Sequence, residues 1–278
     1  MKIGIVGLGL IGGSLGFDFR YQGHFVVGIS RQIKTCDRSL ALGAVDEAGV
    51  ELERLTPCEV IFLCTPLNAL IPTAKTLIPY LLPNTILTDV GSAKGAIVAA
   101  LEPLWPNFVG GHPMSGKAER GIEVAQVGLF SGNPYVLTPT EHTPPDAIEL
   151  VKLLIQQLES RYYTCSPEQH DRAVAWISHL PVMVSASLIQ ACMQESEEEV
   201  LQLAKHLASS GFRDTSRVGG GNPELGVLMA QYNQEALLNS LHQYRRVLDN
   251  VIEQITLENW PTLEDYLKIT EKIRSDFL

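Results

Sequence analysis

A histidine held between small and rigid residues is the first candidate for catalysis in this sequence. His112 lies in the run Gly110-Gly111-His112-Pro113-Met114-Ser115-Gly116, directly after a predicted strand. A neutral imidazole near pH 7 can accept a proton from a hydroxyl group, and the flanking glycines and proline would fix its position. We therefore expect His112 to act as a general base. The alternative is a purely structural histidine.

The glycines near the N-terminus form a second functional pattern, G-x-G-x-x-G. It consists of Gly7-Leu8-Gly9-Leu10-Ile11-Gly12, which follows a predicted strand at Lys2–Val6 and opens a predicted helix. In this setting the first glycine permits a tight turn, the second lets a pyrophosphate approach the backbone, and the third lets helix and strand pack closely. The helix N-terminus adds N–H donors. The loop predicts a nicotinamide dinucleotide site, the alternative being a turn without a ligand.

The residues that end the second predicted strand indicate which dinucleotide binds. Strand His24–Ser30 is followed by Arg31, and no Asp or Glu stands at its end. An NAD enzyme usually has an acidic residue there, which holds the ribose 2′-OH. A hydroxyl and a guanidinium, here Ser30 and Arg31, can instead bind a 2′-phosphate. The cofactor is therefore predicted to be NADP rather than NAD, unless Arg31 is only a solvated surface residue.

Two further strand ends fall where an open α/β sheet binds its ligands, at the carboxyl ends of the strands. The first is Cys64-Thr65-Pro66, and the second is Asp89-Val90-Gly91-Ser92-Ala93-Lys94, which runs from a strand into a helix. We expect the first segment and Asp89 to line the cofactor, and Ser92 to offer its hydroxyl to the ligand. The alternatives are a simple strand terminator at Pro66 and a pure helix cap at Ser92.

The second half of the chain contributes a histidine and two arginines that could bind a substrate. His179 lies in Ser178-His179-Leu180-Pro181, and Arg213 and Arg217 lie in a glycine-rich stretch, Gly211 to Pro223, that is predicted to separate two helices. Arginine is the natural bidentate partner of a carboxylate. We expect the two arginines to bind an anionic substrate. The alternatives are an ion pair with Asp214 and a solvated loop.

The order of predicted elements indicates two domains. Strands alternate with helices up to about residue 165, which predicts βαβ units and a mainly parallel sheet. Ser166-Pro167 is a helix start, and helices follow nearly to the end. The predicted fold is α/β, with a Rossmann-type dinucleotide-binding domain at residues 1–165 and an all-α domain at residues 166–278.

Composition excludes several classes of protein. The chain has 278 residues, a formal net charge of −10 and no basic run, which argues against nucleic acid binding. No uninterrupted apolar run reaches the roughly 18 residues of a membrane span, and no signal peptide is recognised. Its five scattered cysteines include no CxxC pair, so we expect reduced thiols in a cytoplasmic protein and assign no metal site.

Together these stretches resemble the prephenate/arogenate dehydrogenase family of tyrosine biosynthesis, from residue 1 to about 250. The His-Pro-Met loop combined with Ser-His-Leu-Pro is far more specific than the glycine loop. The matching segments are Gly7 to Leu15, Asp89 to Lys94, Gly111 to Gly116, Ser178 to Pro181 and Phe212 to Arg217.

The resemblance implies an oxidative decarboxylation, in which hydride leaves a ring carbinol carbon, CO2 departs and the ring becomes aromatic. It assigns His112 as the catalytic base and Ser92 as the residue that holds His112 or the same hydroxyl. Arg217 matches the arginine that binds the ring carboxylate, Arg213 a basic position at the substrate entrance, and His179 a residue lining the cleft. It also implies a homodimer through the helical domain.

Two departures from the family pattern favour an NADP-dependent arogenate dehydrogenase. Many members that use prephenate have Gly-Thr-Glu after the His-Pro-Met-x segment, whereas this chain has Gly116-Lys117-Ala118-Glu119. The acid after the second strand is also missing. Prephenate dehydrogenase, using NAD or NADP, is the first alternative. A β-hydroxyacid dehydrogenase or imine reductase is less favoured, because these usually need a lysine that Ser178–Pro181 lacks. A cofactor-binding sensor without catalysis is the remaining alternative.

Overall fold

A computed structural model describes residues 1–117 and 119–277 of the chain. The chain divides into two compact units, Met1–Gln234 and Glu235–Leu278. The first unit contains a sheet covered by helices together with further helices, and the second is helical. The predicted fold class, an α/β dinucleotide-binding region followed by helices, is thereby confirmed.

The first unit is built on an eight-stranded sheet. Its strands are β1 (Lys2–Val6), β2 (Phe25–Ile29), β3 (Glu47–Gly49), β4 (Val60–Leu63), β5 (Ile86–Asp89), β6 (Phe108–Pro113), β7 (Pro134–Thr138) and β8 (Arg161–Thr164). Their order across the sheet is β3-β2-β1-β4-β5-β6-β7-β8. All neighbours are parallel except β6 and β7. The strand order reverses between β1 and β4, which is where such a sheet opens a ligand crevice.

In the described part of the chain, ten α-helices belong to the first unit and two to the second, apart from Gln234, the first residue of α11. They are α1 (Leu10–Tyr21), α2 (Ile33–Leu42), α3 (Leu67–Leu77), α4 (Gly95–Leu101), α5 (Pro145–Gln157), α6 (Pro167–Val174), α7 (Leu180–Cys192), α8 (Glu198–Leu207), α9 (Ser210–Ser216), α10 (Pro223–Tyr232), α11 (Gln234–Thr256) and α12 (Trp260–Ile273). A π-helical turn, Ala175–His179, joins α6 to α7. Helix α1 begins at Leu10, inside the glycine loop, so the loop opens a helix as predicted.

The core lies on both faces of the sheet, which explains the nearly continuous apolar character of its central strands. All four residues of β4 are buried. Along β1, Ile3 and Ile5 belong to one hydrophobic cluster and Val6 to the other. Successive side chains of a strand point to opposite faces, so a strand covered on both sides is apolar at every position. This double cover holds the carboxyl ends of the strands in a fixed arrangement.

Two local elements differ from the sequence predictions. The stretch that begins at Gly211 was expected to be a break between helices, but it forms α9, and the break is confined to the residues after Ser216. Its backbone is helical because Gly211 is the only glycine among those seven residues and Arg213 N–H donates to the Ser209 carbonyl at 2.9 Å. Strand β3 was not predicted, because a run of three residues that ends in Gly49 carries no periodic signal.

One continuous helical stretch, Pro167–Cys192, is long and apolar enough to cross a membrane by length and composition, and 28% of its most apolar window is buried. Core helices of globular proteins have the same length and composition. Here the stretch carries His170, Asp171 and His179, whose side chains bond to residues elsewhere in the first unit. These bonds tie the stretch to the first unit.

Candidate active site

The glycine loop has the geometry that a dinucleotide pyrophosphate requires. Gly7 has φ of +102°, and a Cβ there would lie 2.6 Å from the Cys64 carbonyl oxygen. A Cβ on Gly12 would lie 2.0 Å from the Gly7 carbonyl oxygen, whereas one on Gly9 would meet nothing within 4 Å. Gly9 stands at the N-cap of α1 with no side-chain cap and no acid in the first turn. The N-terminal N–H groups of α1 are therefore free to bind an anion. The glycine loop thus fits the pyrophosphate of a dinucleotide.

The end of β2 carries no acidic side chain that would repel a 2′-phosphate. Ser30 is half-buried, and its hydroxyl accepts a hydrogen bond from the Gln32 N–H at 3.3 Å. Arg31 is exposed and makes no ion pair within the described residues. A guanidinium in this position is free to move toward a ligand. The arrangement fits a 2′-phosphate.

The bend after β4 packs directly against the glycine loop. Cys64 N–H donates to the Val6 carbonyl at 2.7 Å, which joins the ends of β4 and β1. Burial raises the pKa of the Cys64 thiol, so the side chain stays protonated and apolar. Thr65 Oγ1 is buried with no hydrogen-bond partner among the described residues. Pro66 is exposed and precedes α3. The bend thus leaves one hydroxyl for a ligand beside the predicted cofactor loop.

Asp89 ties two strand ends together instead of presenting a free carboxylate. One carboxylate oxygen accepts from Gly91 N–H at 2.8 Å and pairs with the Lys94 ammonium, and the other accepts from Gly111 N–H at 3.1 Å. Lys94 Nζ also donates to the Gly111 carbonyl at 2.7 Å. Burial lowers the pKa of Lys94, an effect that Asp89 opposes. Because the Asp89 carboxylate is fully engaged, a contact with a cofactor would have to come from its backbone.

Ser92 does not cap the helix that follows it, so that alternative is wrong. Helix α4 begins at Gly95, and its cap comes from a distant part of the chain. The carboxylate of Asp171 accepts from Lys94 N–H at 2.7 Å and from Gly95 N–H at 2.8 Å. The Ser92 hydroxyl oxygen is buried with no partner in the described part of the chain. It remains available to a ligand.

His112 heads a chain of three hydrogen-bonded side chains. It lies at the end of β6 and is 8% exposed. Its Nδ1 lies 2.8 Å from Nε2 of His170, and Nδ1 of His170 lies 2.8 Å from a carboxylate oxygen of Asp171. Burial lowers the pKa of His112 well below the ordinary value, and its neighbours His170, Lys94 and His179 lower it further. His112 is therefore neutral near pH 7, as a proton acceptor must be.

His179 lies at the end of the π-helical turn and is fully buried. Its Nδ1 lies 3.2 Å from the amide nitrogen of Asn233, which also donates to the Asp171 carbonyl at 2.7 Å. Burial lowers the pKa of His179 to about 4, against the opposing effect of Asp171. Its Nε2 has no hydrogen-bond partner among the described residues. Asp171 is thus connected to His112 through the His170 ring and to His179 through the Asn233 amide.

The two predicted substrate arginines are on the surface of this chain. Arg213 is in α9, and its Nε lies 3.2 Å from the carboxylate of Asp214, in an exposed pair. Arg217 follows α9 and is also exposed. The segment is anchored to α7, because Gly219 N–H donates to the Ser185 hydroxyl at 2.8 Å. Among the described residues neither arginine forms a hydrogen bond or ion pair with His112 or His179, so their predicted roles remain predictions.

Four residues around the histidines were missed by sequence reasoning: Lys94, His170, Asp171 and Asn233. Only Lys94 belongs to a stretch that had been singled out. His170 and Asp171 lie in α6, and Asn233 directly follows the last residue of α10. The local sequence around them is ordinary, and their roles depend on tertiary contacts. Ala118, where the family's acidic residue is expected, lies outside the described residues. Within the described residues, no group of three His, Cys, Asp or Glu side chains is arranged to hold a metal.

Comparison with family models assigns most of the chain to two domain types. Residues 15–164 match the model described as "Prephenate dehydrogenase, nucleotide-binding domain". Residues 166–269 match the model described as "Prephenate dehydrogenase, dimerization domain". The two matches together span well over half of the chain, and they meet next to the start of α6.

Individual relatives resemble the chain along its whole length. The crystal structure of Synechocystis arogenate dehydrogenase is 52% identical, with a TM-score of 0.92 and full coverage of both chains. Prephenate dehydrogenase from A. aeolicus, in complex with hydroxyphenyl propionate and NAD+, is 28% identical, with a TM-score of 0.94 over 100% of this chain and 98% of that one. Prephenate dehydrogenase of Bacillus subtilis is 29% identical over 97% of this chain and 74% of its own length.

Proposed function

This chain belongs to the prephenate dehydrogenase family, and from that premise we propose that it converts arogenate to tyrosine by NADP-dependent oxidative decarboxylation. The observation that carries the proposal is the neutral, buried His112 at the same sheet edge as the glycine loop. The 52% identity to Synechocystis arogenate dehydrogenase favours arogenate over prephenate as the substrate.

The choice of NADP rests on the end of β2. Ser30 and Arg31 replace the acid that would hold a free 2′-OH, and both could donate hydrogen bonds to a 2′-phosphate. The pyrophosphate would lie against Gly9 and the N-terminus of α1, where a side chain is absent and N–H donors are free. Cys64 to Pro66 would line the same side, with the Thr65 hydroxyl as an added donor.

The bound nicotinamide would supply the hydride acceptor. His112 would accept the proton of the ring hydroxyl while the carbon that bears it becomes carbonyl-like, and the loss of CO2 then gives an aromatic ring. The Ser92 hydroxyl would hold His112 or the same substrate hydroxyl. Arg217 would bind the ring carboxylate and Arg213 would stand at the entrance, with His179 lining the cleft. Their part is to orient the substrate.

Assembly and location are also proposed from the family. Residues 166–269 match a dimerization domain, and the two last helices expose large apolar side chains. They include Val247, Ile252, Ile255, Leu267, Ile269 and Ile273. A homodimer through this helical region would cover such a surface. We propose residues 1–165 and 166–278 as the functional domains of a cytoplasmic enzyme.

A two-by-two kinetic comparison tests the proposal: arogenate or prephenate, each with NADP or NAD. The highest kcat/KM is expected for arogenate with NADP. A higher kcat/KM with prephenate would show that prephenate, and not arogenate, is the preferred substrate. A higher kcat/KM with NAD would show that NAD, and not NADP, is the preferred cofactor. Turnover of hydroxyacids alone would overturn the whole proposal.

The variant His112→Asn separates catalysis from binding. It is expected to lower kcat by roughly 10² to 10⁴, the usual contribution of a general base, with NADP affinity near that of the wild type. A protein that binds NADP equally in both forms and turns over neither substrate would instead be a sensor.

A further inference from the structure

The hydrogen-bond chain behind His112 fixes which of its two ring nitrogens can act as a base. Nδ1 of His170 lies 2.8 Å from a carboxylate oxygen of Asp171, and an ionised carboxylate only accepts. That nitrogen of His170 therefore carries the hydrogen. In a neutral imidazole the other nitrogen, Nε2, then has a free lone pair and accepts.

The accepting nitrogen of His170 in turn determines which nitrogen of His112 carries the hydrogen. Its Nδ1 lies 2.8 Å from Nε2 of His170, and because that nitrogen accepts, Nδ1 of His112 must donate. Nε2 of His112 is left with the lone pair, and it makes no hydrogen bond to the described residues. We propose that His170, held by Asp171, is a positioning residue that keeps His112 in the tautomer whose Nε2 accepts the substrate proton.

The carboxylate of Asp171 is itself held rigidly. Its two oxygens accept the backbone N–H groups of Lys94 and Gly95 as well as His170, so it cannot rotate without uncapping α4. The side chain is 11% exposed. The carboxylate therefore stabilises a donor at Nδ1 of His170, and through it a positive charge on His112 when the ring takes up a proton. In catalytic triads a buried carboxylate likewise holds the imidazole base in one tautomer and stabilises its protonated form.

His179 provides a contrast within the same molecule. Its Nδ1 faces the amide nitrogen of Asn233 at 3.2 Å, and that nitrogen can only donate. Nδ1 of His179 therefore accepts, and its Nε2 carries the hydrogen. Two buried histidines thus have opposite tautomers, because one is backed by an acceptor and the other by a donor.

Nitrogen-15 NMR of the full-length protein labelled in its histidines tests the proposal without any substrate. The bare and protonated nitrogens of a neutral imidazole have widely separated shifts, and signals are assigned by their loss in His112→Gln and His179→Gln. At mildly alkaline pH, His112 is expected to carry its hydrogen on Nδ1 and His179 on Nε2. A hydrogen on Nε2 of His112 would overturn the proposal.

Two variants of His170 connect the tautomer to turnover. In His170→Leu the acceptor is lost, so the Nε2–H form of His112 should appear and kcat should fall by roughly 10- to 100-fold, with KM within about twofold. In His170→Gln the amide oxygen can accept from His112, and most of kcat should return. Equal loss in both variants, or a wild-type tautomer in His170→Leu, would overturn the positioning role.

This inference rests on the proposed function only for the identity of the proton donor, and the two can fail separately. If neither arogenate nor prephenate is oxidised but the spectra show the opposite tautomers, the proposed reaction fails and the tautomer assignment stands. If turnover is normal while His112 carries its hydrogen on Nε2, the proposed reaction stands and the assignment fails.

Discussion

The ammonium of Lys94 pairs with the carboxylate of Asp89 at a point where both side chains are completely buried. The same ammonium donates to the Gly111 carbonyl, one residue before His112, at 2.7 Å. Since Asp89 also accepts from the Gly111 N–H, the pair holds both backbone polar groups of that glycine. The ends of β5 and β6 are thereby locked together under the proposed base.

Replacing Lys94 by Met is expected to destabilise the fold by about 3–5 kcal/mol, because it leaves the Asp89 carboxylate buried and unpaired. Urea unfolding measures the loss. The control is Arg54→Met, which breaks an exposed pair with Glu51 and should leave the free energy of unfolding nearly unchanged. A loss for Lys94→Met no larger than that of the control would contradict this prediction.

The sequence predicted those parts of the site that depend on neighbouring residues. Strand, glycine loop and helix follow one another directly, so the geometry around Gly7 and Gly9 could be anticipated. The role of Asp89 in joining two strand ends could not, because its partner Gly111 comes near only when β5 and β6 lie side by side. Ser92, the nearest suitable side chain, was the alternative candidate for the cap of α4, whereas the structure supplies the cap from Asp171, 77 residues beyond Lys94. No local pattern carries such information.

Cofactor preference should depend on the end of β2. In Ser30→Asp a carboxylate would repel a 2′-phosphate and could accept from a free ribose 2′-OH. The ratio of kcat/KM for NADP to that for NAD is expected to fall by about tenfold or more, equivalent to roughly 1.4 kcal/mol. Arg161→Ala, an exposed arginine on the opposite edge strand β8, should leave the ratio unchanged. An unchanged ratio in Ser30→Asp would mean that residues other than Ser30 recognise the 2′ group of the cofactor ribose.

Substrate binding should depend on Arg217 more than on Arg213. Arg217→Ala would remove the partner of the ring carboxylate, and hydrogen bonds to charged groups contribute about 1.5–3 kcal/mol each. KM for arogenate is therefore expected to rise by roughly 10- to 100-fold. Arg213 already pairs with Asp214, so Arg213→Ala should have a smaller effect. Arg172→Ala, an exposed arginine in α6, is the control, and a KM equal to that control would remove Arg217 from the site.

Acid should destabilise the protein through its buried histidines. The pKa of His179 is about 4 in the folded chain, against an ordinary value of about 6.5. Below about pH 6.5 the unfolded chain binds a proton that folded His179 excludes, so the free energy of unfolding falls as the pH drops and levels off below about pH 4. Burial also lowers the pKa of His112, which adds a loss of the same sign.

The variant His179→Gln isolates the contribution of one ring. The free energy of unfolding, measured in urea between about pH 7.5 and about pH 4.5 at one protein concentration, should decline less steeply in this variant than in the wild type. Over the full window one such group accounts for roughly 3 kcal/mol. His206→Gln, which changes an exposed histidine of α8, should show the same decline of unfolding free energy with falling pH as the wild type. If His179→Gln and the wild type decline in parallel, His179 takes up its proton in the folded protein and the shift in its pKa does not exist.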